Sequence, residues 1–189
     1  MKNNTFKEYV APIVVLVVIC LVITAALAAT YDVAKPIIDE NSTKAANEAR
    51  AELLPAADSF TVYDGELVEY ASDKVFVEEC YIADNGSGMV ITVSTKSFGG
   101  ALTEMIGIDA DGNITGVKVT AHADTPGLGT KAHDTAYLEQ YKKLSELTAT
   151  SAKADSSVTY VTGATISSNA VHYGVYAALE QYKAVGGAK

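Results

Sequence analysis

Tryptophan is absent from the 189 residues, and only two cysteines and three histidines are present. Cys20 lies inside an apolar run and Cys80 lies far downstream, so no disulfide between them is expected. There is no CxxC, no CxxCH and no four-cysteine set, so iron–sulfur clusters, structural zinc and c-type haem have no support. His122, His133 and His172 show no metal-ligand spacing on any expected helix, which argues against a metal site. No Ser-His-Asp or Cys-His arrangement can be read from spacing, and hydrolase chemistry is unsupported. A GxGxxG motif is also missing, so the chain alone is not expected to bind NAD. Any redox chemistry would have to come from another organic cofactor.

Positive charge is scarce: 14 Lys and Arg stand against 23 Asp and Glu, a net charge of −9. Residues 1–35 hold Lys2, Lys7 and Lys35 against Glu8 and Asp32, a surplus of one positive charge, so the acidity belongs to the rest of the chain. An acidic domain repels nucleic acid and anionic lipid headgroups, which makes both poor partners. The hydrophobic share of 49 % is enough for a real core, and the length suits one main domain plus a membrane segment.

That segment is Val10 to Ala29, twenty residues without a charge. At helical rise it covers roughly 30 Å, the thickness of a hydrocarbon core. Pro12 falls in its first turn, where a missing N–H costs little. Lys2 and Lys7 precede it and place the N-terminus in the cytoplasm by the positive-inside rule, with the C-terminal domain outside. The alternative is a cleaved signal peptide, since Ala26-Leu27-Ala28 resembles a cleavage site; signal h-regions are shorter, about 7–15 residues, so a retained anchor is favoured. A lipoprotein site at Cys20 is disfavoured by the bulky Ile19 before it.

The expected order is a cytoplasmic segment 1–9, a transmembrane helix 10–29, a helical stalk or linker 30–58 and an extracytoplasmic domain 59–189. Within the stalk, Ser42 or Thr43 is a candidate cap for a helix ending at Leu54, before Pro55. Phe60 to Ala121 reads as strand-rich, with Val75–Val77, Met89–Val93, Met105–Asp109 and Ile114–Thr120 as strands. Asn85-Gly86 and Ala110–Asn113 mark the turns between them. His133 to Lys143 is expected to be helical. A last helix is expected from Ser167 or Ser168, with Val171, Val175, Ala178 and Tyr182 on one face. Asp155 and its neighbouring serines read as a solvated loop, and Tyr173 and Tyr176 as packing residues. The fold class is α+β, with mainly antiparallel strands and flanking helices.

The most informative stretch is Thr159-Tyr160-Val161-Thr162-Gly163-Ala164-Thr165-Ile166-Ser167-Ser168. A strand-like run ends, Gly163 allows a tight turn, and hydroxyl residues open a helix whose N-terminal N–H groups suit an anion such as phosphate. Gly163 and Ala164 leave room for close backbone approach. The plainer reading of the same residues is N-capping by Ser167 or Ser168. Further upstream, Pro126-Gly127 suggests a type II turn with Gly at the position of positive φ.

Thr162-Gly163-Ala164-Thr165-Ile166-Ser167-Ser168 resembles the flavinylation motif of the FMN-binding domain family, Asp-x-x-Ser/Thr-Gly-Ala-Thr. That family includes the G subunit of the Rnf electron-transport complex and the C subunit of the sodium-pumping NADH:quinone oxidoreductase. His122-Ala123-Asp124-Thr125-Pro126-Gly127-Leu128-Gly129 resembles its His-x-Glu-Thr-Pro-Gly-Leu-Gly signature. Lys96-Ser97-Phe98-Gly99-Gly100, followed by a hairpin, resembles its Gly-Tyr/Phe-Gly-Gly segment. Asp124 stands where Glu is usual, and Thr159 where the motif has its leading Asp. Order, spacing and anchor agree over nearly the whole chain, and the short length fits the Rnf protein better than the longer quinone-reductase one.

The resemblance implies a redox subunit carrying FMN as a phosphoester on Thr165, attached by a flavin transferase. It implies a cofactor site of Thr162, Gly163, Ala164, Ser168, Asp124, Thr125, Gly127 and Leu128. It also implies other Rnf subunits as partners, with the D subunit nearest in electron transfer, and a place in the cell membrane within an ion-translocating ferredoxin:NAD oxidoreductase. Other readings are the quinone-reductase protein, a free-standing flavodomain, or a membrane-anchored scaffold with no cofactor.

Overall fold

The computed structural model describes residues 9–68 and 74–187. The cytoplasmic segment expected at 1–9 therefore lies, apart from Tyr9, outside the described residues. Two compact units divide at Ala46/Asn47. The first is helical. It belongs to α1, Ala11–Leu53, whose Ile, Val and Leu side chains between residues 13 and 27 are exposed. This helix is long and apolar enough to cross a membrane, with a window of mean hydropathy 3.0.

The expected break before a separate stalk helix at Ser42 or Thr43 is absent. Thr43 does not act as a cap; its hydroxyl donates to the Asp39 carbonyl four residues back, 2.9 Å away, a bond available only inside a helix. Pro36 also lies within α1. It denies the Asp32 carbonyl its i→i+4 donor without ending the helix. The stop comes at Leu53, two residues before Pro55, whose ring disfavours helical geometry in Leu54.

The second unit is built on five antiparallel strands in simple meander order: β1 Phe60–Val62, β2 Val75–Ala83, β3 Gly88–Lys96, β4 Ala101–Asp109 and β5 Ile114–His122. The turns read from Asn85-Gly86 and Ala110–Asn113 join β2 to β3 and β4 to β5; Gly86 and Gly112 take φ of 71° and 85° there. β3 is buried along nearly its whole length, as expected of a central strand covered on both faces.

One face of the sheet is covered by α3, Thr165–Val185, the last helix. Its expected apolar stripe, Val171, Val175, Ala178 and Tyr182, is buried, joined by Ala170, Ala177 and Leu179. Each larger aliphatic side chain buried here contributes about 1.5–3 kcal/mol. The other face meets the end of α1: the Leu53 carbonyl accepts a hydrogen bond from Thr115 Oγ1 at 2.5 Å and lies over Gly107. Arg50 is buried with its guanidinium over the Tyr81 ring, 3.6 Å from its centroid, and 3.4 Å from Glu79.

Four local expectations need correction. His133–Lys143 is not one helix: a 3-10 turn at Gly129–Ala132 precedes a short α2, Thr135–Leu138, and a second 3-10 turn follows at Glu139–Tyr141. The chain then leaves helical geometry because Lys143 N–H donates to Ile114 O and Ile114 N–H donates to Leu144 O, tying this segment to the start of β5. Thr159–Val161 forms no strand, and α3 begins at Thr165 rather than at a serine cap. Asp155 is buried, not solvated. It accepts from Thr148 N–H and Oγ1, Ala149 N–H and Ser157 N–H, with Ser157 Oγ also donating to it. Burial opposes its ionisation, but these donors outweigh that and hold its pKa far below the usual carboxylate value.

Candidate functional site

Three loops meet at one end of the sheet and enclose a pocket of about 280 Å³. The β3–β4 turn supplies Phe98. The chain after β5 supplies Asp124, Thr125, Leu128 and Gly129. The approach to α3 supplies Gly163, Ala164, Thr165, Ile166 and Ser167. The volume is near the lower bound of small-molecule sites, about 300 Å³.

Each loop has a local reason for its course. Thr125 O accepts from Leu128 N–H at 3.2 Å, closing the turn expected at Pro126-Gly127, with Gly127 at φ 76°. Val161 O accepts from Ala164 N–H at 3.0 Å, and Gly163 sits in that turn at φ 87°. Gly129 is required for a different reason. A Cβ there would stand 2.8 Å from the Asp124 Cβ and 2.9 Å from Ser167 Oγ.

Asp124 holds the three loops together. Its Oδ2 accepts from Ser97 Oγ at 2.5 Å and its Oδ1 from Gly99 N–H at 2.7 Å. Ser167 at the start of α3 also hydrogen-bonds to it. His133 Nε2 lies 3.1 Å from Oδ2 and pairs with it. Burial opposes ionisation of Asp124, yet the hydrogen bonds from Ser97, Gly99 and Ser167, with attraction to His133, hold its pKa below the ordinary carboxylate value. The His133 pKa is pushed down by burial and by the neighbouring His122, against the pull of Asp124.

Thr165 is the first residue of α3 and faces the pocket. No side chain caps this helix: its N-cap position is Ala164. Ser168, the candidate cap, is fully buried, and its Oγ accepts from Val161 N–H at 3.0 Å, bracing the preceding loop. The first-turn N–H groups beside Thr165 are thus left for an anion, which the partial positive charge of the helix end favours. The residues present suit a phosphorylated, largely apolar ligand: a free helix N-terminus for phosphate, and Phe98, Leu128 and Ile166 as apolar lining, all well exposed at 71, 48 and 53 %.

Of the residues expected to hold a cofactor, Gly163, Ala164, Asp124, Thr125 and Leu128 line the pocket together with Thr165. Thr162 is exposed in the turn outside it, Gly127 shapes the loop without lining it, and Ser168 points into its own loop. Sequence reading misses Phe98, Gly129, Ile166 and Ser167 as lining, and Ser97 and His133 as partners of Asp124. For Phe98 a signal exists: a large apolar residue ahead of Gly99-Gly100 is placed at a turn, where it has no core to enter. Among the described residues no group of three or more His, Cys, Asp or Glu is arranged to hold a metal.

Comparison with known proteins follows the same lines. The family described as FMN-binding domain matches residues 97–180. The chain is 31 % identical to the G subunit of the Na(+)-translocating ferredoxin:NAD(+) oxidoreductase complex of Acetobacterium woodii, covering 89 % of each chain. It is 30 % identical to the G subunit of the ion-translocating oxidoreductase complex of Methanosarcina acetivorans, covering 96 % of this chain and 98 % of that one. It is 28 % identical to the G subunit of the proton-translocating ferredoxin:NAD(+) oxidoreductase complex of Clostridium ljungdahlii, covering 92 % of this chain and 91 % of that one. With likeness of this extent along nearly the full length, the chain belongs to the family of G subunits of ion-translocating oxidoreductase complexes, and its sheet domain contains an FMN-binding domain.

Proposed function

We propose that this protein is the electron-relay subunit of a membrane-bound, ion-translocating ferredoxin:NAD oxidoreductase (Rnf) complex, with FMN held in the pocket as a phosphoester on Thr165 Oγ1. The observation that carries the reading is the position of Thr165: a hydroxyl on the first residue of an uncapped helix, on the wall of a pocket with apolar lining. The phosphate of the ester then lies where the helix N-terminus favours negative charge. A threonine hydroxyl is a weak nucleophile, so attachment requires a flavin transferase and an activated flavin donor. Bound FMN supplies exchange of electrons one or two at a time.

The chain's own residues bind and orient. Asp124 fixes the loops bearing Phe98, Leu128 and Thr165 against one another, and Gly129 lets them approach. Ester linkage replaces reversible binding, so the cofactor stays with a domain that lies outside the cytoplasm. The N-terminal apolar helix is the anchor, with residues 1–9 cytoplasmic, 10–29 in the bilayer, 30–58 as a stalk whose last turns pack on the sheet, and 59–189 as the flavin domain. Other subunits of the complex are its partners, with the D subunit the neighbour in electron transfer.

The test is the intact mass of the protein purified from cells that contain the transferase, with peptide mapping around Ile166. The expected result is one added FMN phosphoester, with flavin fluorescence on a denaturing gel that disappears in Thr165→Ala. An active complex in which this chain weighs no more than its polypeptide would overturn the reading.

A further inference from the structure

Asp124 is a buried anion on the wall of the pocket, and its charge partner, His133, faces a second cavity. That cavity, also about 280 Å³, lies between β5, the end of α1 and the α2 region. The His133 side chain is only 6 % exposed; its Nε2 pairs with Asp124, and its Nδ1 has no hydrogen-bond partner among the described residues. It therefore stands in the partition between two spaces, 3.1 Å from the carboxylate on one side and open to a polar cavity on the other. A buried imidazole nitrogen normally finds a partner, and Nδ1 is the one left without it.

We propose that His133 is a positioning residue that takes up a proton when the flavin pocket is reduced, acting through Asp124. The proposal rests on FMN occupying that pocket and deepens it by assigning the site a proton partner. A flavin held there would add negative charge to the pocket on accepting an electron from a partner redox protein. The field reaches the Asp124–His133 pair with little solvent screening, because both side chains are buried. Asp124 already carries its negative charge, so His133 is the member that can respond. With Nε2 facing the carboxylate, the neutral ring keeps its proton there, and Nδ1 receives the new one. The proton comes from bulk water by way of the second cavity, one charge entering as one electron enters, and no bond of the chain breaks.

Every packed neighbour bears on this titration. The His122 ring of β5 lies 4.5 Å away between centroids and disfavours a second positive charge. Asp134 and Asp124 favour it. Across the second cavity, Lys118 is paired with Glu52 and Lys142 with Glu139, so these four charges offset one another in pairs. Burial holds the neutral form of His133 in the oxidised pocket, and reduction moves its pKa upward.

The flavin-loaded full chain in detergent allows the test, by redox titration of wild type and His133→Gln between pH 5 and 9. Wild type is expected to have the higher potential at low pH, where its histidine is charged, and to converge with the variant at high pH, where both side chains are neutral. Parallel curves at every pH overturn the proposal while leaving flavin binding intact. Wild type without flavin overturns the reading of the pocket and the proposal with it. Should the variant fail to fold, histidine-labelled wild type followed by NMR decides: the His133 pKa rises on reduction, or an unchanged value overturns the proposal.

Discussion

Glu104 is a buried, unpartnered carboxyl in the sheet, and its cost should be readable as a pH dependence. It lies on β4 in the row Leu102, Glu104, Ile106, Ile108, fully buried, with no hydrogen-bond partner for either carboxyl oxygen among the described residues. Burial without a partner raises its pKa well above the usual 4.5. The folded protein therefore holds Glu104 protonated, while the unfolded chain releases that proton above about pH 4.3. Glu104 destabilises the fold progressively as pH rises from there to its folded pKa, at about 1.4 kcal/mol per pH unit. Each such unit is a noticeable part of a typical stability of about 5–15 kcal/mol. Glu104→Gln removes the titration and keeps the shape. Urea unfolding of the full chain in detergent, followed by tyrosine fluorescence, gives the stability of both proteins at each pH. The variant should gain on wild type as pH rises from 5 towards 7, by roughly 1.4 kcal/mol for each unit that lies below the folded pKa of Glu104. A difference that stays constant across that range would mean that Glu104 is solvated or paired, and would refute the reasoning.

The same carboxyl explains a glycine: a Cβ on Gly174 would stand 1.7 Å from Glu104 Oε1. Gly174→Ala should lose about 1–3 kcal/mol to overpacking despite its better helix propensity, and Glu104→Ala in the same chain should restore much of that loss in a double-mutant urea series. Asp155→Asn should cost about 2–3 kcal/mol at pH 7, through weakened bonds to a charged acceptor. Because the folded pKa of Asp155 is depressed, this contribution is complete above its ordinary 3.8 and is lost as pH falls through the folded value. The gap between wild type and Asp155→Asn should begin to narrow below about pH 4, as followed by thermal melts at pH 7 and pH 3. Gly129→Ala should leave the sheet folded but push Asp124 and Ser167 apart, and intact mass should show a smaller flavin-loaded fraction after expression with the transferase.

The legible parts of the molecule are those whose cause is local. β-branched runs, the Asn85-Gly86 and Asp111-Gly112 turns and the stripe on α3 carry their instructions within a few residues, and the sheet forms as expected. The uninterrupted α1 is hidden because Pro36 and Thr43 are helix breakers and caps by type, while only tertiary or membrane surroundings decide whether they act so. Asp155 reads as solvated because Ser156 and Ser157 look like loop. Its burial is set by Thr148 and Ala149, which must first be folded back upon it. Glu104 falls one residue before the expected start of its strand, and nothing in the surrounding residues announces a carboxyl facing α3.

The site shows the same division more sharply. Thr165 and its Gly-Ala lead can be read from seven consecutive residues, but the Asp124 clamp joins positions 97, 99, 124, 133 and 167. Such a junction exists only after β3, β4 and β5 have paired and α3 has docked, so no window of sequence contains it. Its placement follows from what the proposed relay must do. The cofactor has to stay put when charge arrives, which asks for rigid loops and a satisfied anion at the attachment end. It must also give up electrons to another protein, which asks for an open, weakly polar edge. The buried carboxylate with its four partners answers the first need, and the exposed Phe98, Leu128 and Ile166 answer the second. A closed pocket would hold flavin as well but would pass electrons slowly, so the exposure of these three side chains suits the proposed relay.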